Sequence, residues 1–418
     1  MPRFQLLPRS AGADAKRLLA ARALRGAVDG FVSVMLAGYL NSAGYTPIEI
    51  SAIVTATLLG SSTLTLLIGM MGYHFSRRHL LFVSAGLMLM TGLGFAFVTN
   101  FWVLLFIATI GTLNPSSNDV SIFLPTEQSL LSDATAADDR TSIFARYNVA
   151  GVLATAFGSL GVALPVLLAR AAGWSLVDAQ RLSFLVYAAA GALLFFLYAP
   201  LEVEEDAGVR QRTAPLRKAR KAVITLAALF SIDAFGGGFV VHALIALWLF
   251  RRFDLDIETT GSIFFAFNVM SAASQFLSPY VARRVGLINT IVLTQVPANL
   301  LMLLAAFMPT APLAVGLIMI RMFLNQMDQP ARQSYTMAIV PPEERAAAAS
   351  FTHVPRGLAA ALAPLLVGAL LTVSSFGWPL ILGSTVKLIY DGLLLWQFRA
   401  HPAPEEVERR AAAASTGR

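Results

Sequence analysis

The stretch GTLNPSSNDVSIFLPTEQSLLSDATAADDRTSIFARYN, residues 111–148, decides how the rest of the chain is read. It starts inside a long apolar run and soon becomes too polar to be one. Asn114, Ser116, Ser117, Asn118, Asp119, Ser121, Glu127 and Gln128 stand where a membrane helix would carry hydrocarbon. A related pattern returns in NQMDQPARQSYTMAIVPPEERAAAASFTHVPRG, residues 325–357. Pro125, Gln128, Ser129, Arg140 and Val149 have identical residues 205 positions on, at Pro330, Gln333, Ser334, Arg345 and Val354. Asp138-Asp139 becomes Glu343-Glu344. The costliest segment of the chain is therefore written twice.

Working outward, the 418 residues are 56% hydrophobic and 13% charged, with a mean hydropathy of +0.67. Soluble domains carry about 25% charged residues, so this chain reads as a membrane protein with the lipid bilayer as its solvent. There is no cysteine, which excludes thiolate catalysis and cysteine-ligated metals. The five histidines are scattered, so no metal site and no cofactor are expected. The net charge of +7 collects between apolar runs, a topology signal rather than a nucleic-acid footprint. The basic N-terminus followed by an apolar run mimics a signal peptide. The run Ala20–Leu40 is too long for a signal core and contains Asp29, so it reads as a first span.

Apolar runs able to cross a hydrocarbon core of about 30 Å lie near 18–40, 48–71, 79–99, 101–124, 143–169, 180–200, 222–250, 259–281, 287–308, 312–338, 347–373 and 376–398. The expected fold is an all-α membrane protein with twelve transmembrane helices. Residues 201–221 read as a cytoplasmic linker between a six-helix half at 1–200 and another at 222–398. Residues 399–418 read as a disordered cytoplasmic tail. Most of the 31 Lys and Arg fall at the N-terminus, in even-numbered gaps and in the tail, and only Arg170, Arg181, Arg251 and Arg252 in odd-numbered gaps. Positive-inside bias then places both termini in the cytoplasm. The repeat extends to Asp29 in AVDGF and Asp233 in SIDAF, 204 positions apart, and to Ala154/Ala359 and Leu160/Leu365. Six spans per repeat is even, so the halves run parallel.

This architecture resembles the major facilitator superfamily. That family's loop motif between spans 2 and 3 runs Gly, three residues, Asp, Arg, any residue, Gly and two basic residues. Here Gly69 and the pair Arg77-Arg78 remain, while Tyr73 and Ser76 replace the acidic residue and second glycine. Ser278-Pro279 to Arg283-Arg284 is a second degraded copy. The Arg motif of span 4 and the Gly-Pro signature of drug antiporters are absent. The resemblance implies two parallel six-helix bundles related by a pseudo-two-fold axis. It also implies a mid-membrane cavity lined by spans 1, 4, 7 and 10, and transport by rocking of the halves.

An ionisable residue at the bilayer centre costs about 2.5–3.5 kcal/mol on insertion scales, so such residues rank the site candidates. Asp29 and Asp233 come first. A carboxylate withdrawn from water is easier to protonate, as proton coupling or recognition of a cation requires. The competing reading is a structural ion pair, with Arg25 one turn from Asp29. In span 4, Asn114, Asn118, Ser121, Pro125 and Gln128 share one helical stripe, with Asp119 beside it, on a helix kinked by two prolines. A lining role stands against simple interhelical hydrogen bonding. Glu127 reads as interfacial. In span 10, Arg321, Asn325, Asp328 and Arg332 recur on one face. Arg321 and Asn325 suit the substrate, with Asp233 or Asp29 as partners for the arginine, and Asp328–Arg332 suits a gate.

Arg77, Arg78, Arg140, Glu344 and Arg345 join the gate ion pairs, and His353, Arg356 and Gln275 are weaker candidates. Lys387 and Asp391 read as an i, i+4 pair within span 12. Gly236-Gly237-Gly238 reads as a close-packing site or hinge.

These residues point to secondary active transport of a small solute by alternating access, with protons as coupling ion and export as direction. The expected protein works as a monomer in a bacterial cytoplasmic membrane. No P-loop is present, so ATP does not drive it directly, and no nucleophile–base set or HExxH supports an enzyme. A lipid flippase or scramblase, or a sensor without flux, stands as the alternative.

Overall fold

In lipid a spanning segment must satisfy its own backbone polar groups, which leaves helices or closed barrels. The computed structural model describes residues 12–71, 76–116, 123–134, 140–201, 220–285, 287–327 and 345–398, and among these the regular structure is helical throughout. The first half holds α1 (Ala13–Ser42), α2 (Pro47–Met71), α3 (Arg77–Phe97), α4 (Phe101–Ile110), α5 (Phe123–Asp133), α6 (Arg140–Leu160), α7 (Ala163–Ala172), α8 (Leu176–Leu182) and α9 (Phe184–Tyr198). The second holds α10 (Arg220–Gly238), α11 (His242–Phe253), α12 (Ile257–Val285), α13 (Leu287–Ala305), α14 (Ala311–Asn325), α15 (Arg345–Val373) and α16 (Trp378–Phe398).

These helices make twelve spans, with spans 4, 5, 6 and 7 each built from two pieces. Among the described residues eight segments are long and apolar enough to cross a membrane, and Phe101–Ile110, Ile291–Ala305 and Ala311–Asn325 are shorter apolar helices. The remaining span is α12, whose 29 residues reach about 43 Å at 1.5 Å per residue. Large apolar side chains such as Trp102, Phe106, Phe157, Phe196 and Trp396 point outward. Lipid tolerates that arrangement, whereas patches of that extent are rare on soluble monomers.

The described residues group into two compact units, within Met1–Arg210 plus Val241–Asn268 and within Gln211–Val240 plus Val269–Arg418. In the first unit α1 packs closely on α6, and glycine is what allows it. A Cβ at Gly30 would lie 2.0 Å from the Thr155 carbonyl oxygen, and one at Gly158 would lie 1.7 Å from that of Ala27. In the second unit α10 packs on α15 in the same way, with a Cβ at Gly238 only 2.2 Å from the Ala360 oxygen. First and fifth spans of each half are thus paired alike, as a parallel repeat requires. The three glycines of span 7 differ in role. Gly236 and Gly238 lie against other helices, whereas a Cβ at Gly237 would meet nothing within 4 Å.

Span 4 departs from the expectation of one kinked helix. α4 stops at Ile110, Gly111 is extended (φ −72°, ψ 178°), and residues 111–116 are not helical. Asn114 explains part of this: its Oδ1 accepts from the Ser116 backbone N–H at 3.2 Å and from the Ser116 hydroxyl at 2.8 Å. Such local bonds compete with the helix ladder, and Pro115 lacks a backbone donor. Asn114 therefore does not share a continuous helical stripe with residues of α5. Span 7 is also interrupted, between Gly238 and His242. The start of α11 meets the break in span 4: the Ala243 N–H donates to the Pro115 carbonyl at 3.1 Å, both within the first unit.

Candidate functional site

In the first unit the polar side chains gather along α1. Arg25 lies on its buried face, 2% exposed, and meets Glu127 of α5, which is 0% exposed. Arg25 Nη2 stands 2.5 Å from Glu127 Oε2, and its guanidinium lies 4.7 Å from the Phe123 ring centroid. The hydroxyls of Tyr147 (α6) and Tyr198 (α9) also donate to the Glu127 carboxylate. One carboxylate thus receives a charged donor and two phenols, and it joins spans 1, 4, 5 and 6. A buried ion pair is tolerable only when its remaining hydrogen-bonding sites are filled in this way. The interfacial reading of Glu127 is corrected: its side chain is wholly buried among other spans. Arg25 stands 102 positions away in sequence. The only sequence signal was Arg25 itself, a cation inside an apolar run that had to find an acid on another span.

One turn deeper, Asp29 is buried and accepts from Asn114 Nδ2 at 3.5 Å. Above it the Tyr187 hydroxyl donates to the Thr112 carbonyl at 2.7 Å, satisfying backbone left open by the break in span 4. Arg25, Asp29, Met88, Thr112, Phe123 and Tyr187 line one crevice, too tight to admit a water molecule. The structure therefore brings Asp29 and Asn114 together, with Arg25 beside them.

Closer to the membrane surface, two arginines hold the end of span 6. Arg78 donates to the Ala199 carbonyl, and Arg17 Nη1 donates to the Pro200 carbonyl at 3.0 Å. Cations there suit the negative end of the α9 dipole. Arg77 is half-buried at the start of α3, whose N-cap is Ser76.

In the second unit Asp233 is buried on α10 and pairs with Lys387 of α16, Nζ to Oδ1 2.6 Å. The stem of Lys387 runs past Gly236, where a Cβ would lie 2.7 Å from Lys387 Cγ. Asp391, one turn along α16, is also buried and accepts from Asn299 Nδ2 of α13 at 2.9 Å. The pairing of Lys387 with Asp391 inside one helix is corrected accordingly: the short contact of the lysine runs to another span. Arg321 is buried on α14, with Nη1 3.6 Å from Met322 Sδ. The Asn325 carbonyl accepts from Gln295 Nε2 at 3.5 Å.

Other candidates divide by placement. Asn118, Asp119, Asp328, Arg332 and Glu344 lie outside the described residues. Arg140, Gln275, Arg345 and His353 lie on α6, α12, α15 and α15, and Arg356 is half-buried on α15.

The family model described as Major Facilitator Superfamily matches residues 18–327 and again 226–416. An uncharacterized membrane protein of Saccharomyces cerevisiae, YJR124C, is 23% identical over 429 residues, 93% of this chain and 94% of the yeast protein. A bacterial homolog of the human lysosomal transporter Spinster, solved inward-facing and unoccupied, has a TM-score of 0.70 at 14% identity over 94% of this chain and 97% of its own. The nucleoside transporter NupG has a TM-score of 0.70 at 13% identity, over 92% and 99%. A D-xylose-proton symporter has 0.70 at 15%, over 92% and 97%. At these identities the likeness concerns the fold.

Proposed function

Since the chain belongs to the Major Facilitator Superfamily, we propose that this membrane transporter is a proton-coupled secondary carrier that exports a small solute by alternating access. The observation that carries the reading is a buried carboxylate in the first span of each half, Asp29 and Asp233, each set among polar partners from other spans. Carboxylates are expensive inside a bilayer and mark ion or substrate pathways. A proton neutralises such a group without needing a cage of ligands, and moving one charge across 100 mV supplies about 2.3 kcal/mol. Export is the direction usual among many family members.

Asp29, Asp233, Asn114, Asn118, Asp119, Arg321 and Asn325 form the proposed substrate and coupling set. Asp328, Arg332, Arg77, Arg78, Arg140, Glu344 and Arg345 form the proposed gate, with His353, Arg356 and Gln275 in support. In this reading residues 1–200 and 222–398 are the two halves, joined by a cytoplasmic linker at 201–221 and followed by a tail at 399–418. Both termini face the cytoplasm of a bacterial cell, and the monomer is the working unit.

The test is flux in proteoliposomes, using a panel of radiolabelled nucleosides, sugars and organic cations, with and without an imposed pH gradient. The reading expects at least one solute to be driven uphill by the gradient. Flux indifferent to the gradient would remove proton coupling, and a protein silent across the panel but scrambling labelled lipid would favour the lipid alternative.

A further inference from the structure

The proposed transport reading uses Asp233 but gives no part to span 12, where two buried ionisable side chains sit one turn apart. Lys387 and Asp391 are both buried on α16. Residues at i and i+4 on a helix have Cβ atoms about 5–6 Å apart, within reach of a lysine stem. Lys387 nevertheless reaches to α10, where its Nζ lies 2.6 Å from Asp233. Asp391 accepts from the Asn299 amide of α13 at 2.9 Å. One ammonium thus has two buried carboxylates at hand and sits on one of them. Gly236 leaves space along the lysine stem, so its path past α10 is not blocked by a side chain there.

We propose that Lys387 is a two-position counterion: it pairs with Asp233 when that carboxylate is charged and moves to Asp391 when Asp233 takes up a proton. This rests on the reading of Asp233 as a coupling group. The steps balance simply. A proton from solvent bonds to an Asp233 oxygen and cancels its charge. Lys387 keeps its own three protons, loses the attraction of Asp233 and swings one turn along α16 to Asp391. When Asp233 releases its proton, the ammonium returns. The move makes and breaks a tie between spans 7 and 12, and a two-state element of that kind converts protonation into helix movement.

The charged groups on the helices around α16 are few. Helices α10, α13 and α15 pack against α16. Helix α13 offers amides, Asn299 among them, and has no charged residue in Leu287–Ala305. Helix α10 brings Asp233, with Arg220 and Lys221 exposed at its start. Helix α15 carries Arg345, His353 and Arg356, with Arg356 half-buried. Arg321 is buried in the same unit on α14, which packs on α13. On α16 itself Asp391 is the only acid.

The experiment is solid-state NMR on the full chain in lipid bilayers, with 15N-labelled lysine and 13C-labelled aspartate. Dipolar contacts from Lys387 Nζ to carboxyl carbons are read from pH 9 to pH 4. Asp233→Asn, Asp391→Asn and Lys387→Arg assign the signals. The expected result is a contact to Asp233 at high pH that is lost on acidification while a contact to Asp391 appears. In Asp391→Asn the low-pH contact should vanish. A contact to Asp233 that persists at every pH would overturn the proposal, and so would its loss with no gain at Asp391. Coupled flux with an immobile Lys387 would refute the switch and leave the transport reading standing. A moving Lys387 with gradient-independent flux would do the reverse.

Discussion

Removing the Glu127 carboxylate should loosen the first unit more than any other single polar change there. Glu127 is wholly buried and receives Arg25 and the hydroxyls of Tyr147 and Tyr198. Glu127→Ala strands a guanidinium that is itself 2% exposed, and breaking one side of a buried pair costs about 3–5 kcal/mol. Each tyrosine bond adds about 1 kcal/mol in isolation, but groups in one network do not sum. In membranes the loosened state also finds partners for its polar groups, which lowers the total. The expected loss is therefore about 3 kcal/mol, measured as the change in unfolding free energy in mixed SDS micelles. Glu127→Gln keeps one acceptor oxygen and should lose about half as much. The double variant Arg25→Met/Glu127→Met should be less damaging than either single change, because no charge is left buried without its partner. Single variants within about 0.5 kcal/mol of wild type, or a double variant equal to the sum of the singles, would refute the reasoning.

Three smaller expectations follow. Gly30→Val places side-chain atoms against the Thr155 carbonyl and should abolish a monodisperse peak in size-exclusion chromatography, whereas Gly237→Ala, with open space around its Cβ, should elute as wild type. Asn100 caps α4 by accepting from the Trp102 and Val103 N–H groups, so Asn100→Ala should cost about 1 kcal/mol of unfolding free energy. Tyr45, in the turn after α1, donates to the Thr99 carbonyl at 2.5 Å, and burial, then Glu49, pushes its phenol above the ordinary value of 10.0. Because the folded state holds this proton more tightly, its contribution is complete below pH 10 and is lost as pH rises through the folded value. Tyr45→Phe should therefore flatten the alkaline limb of a stability–pH profile, and an unchanged limb would count against it.

Much of the fold was legible because the bilayer imposes a simple rule, about 20 apolar residues per span. The runs at 18–40 and 376–398 correspond to α1 and α16, and the pairing of first and fifth spans agrees with the repeat seen at Ala154/Ala359. The break in span 4 was less legible, since hydropathy counts side chains and does not register that the Asn114 side chain accepts from the Ser116 backbone N–H. Partners were the least legible. Sequence offers Arg25 the nearby Asp29, and Lys387 the nearby Asp391. The short contacts instead join Arg25 to Glu127 and Lys387 to Asp233, across 102 and 154 positions. Helical spacing reports neighbours on one helix, whereas a buried charge is satisfied by whichever span the packing brings beside it.

The central claim is that Asp29 and Asp233 carry the coupling proton, and its most direct measurement is simultaneous proton and solute flux in proteoliposomes for wild type, Asp29→Asn and Asp233→Asn. The account predicts that wild type moves protons together with a solute from the panel, and that each variant inserts and elutes as wild type yet fails to accumulate the solute against its gradient. Wild-type proton-driven accumulation in both variants would contradict it.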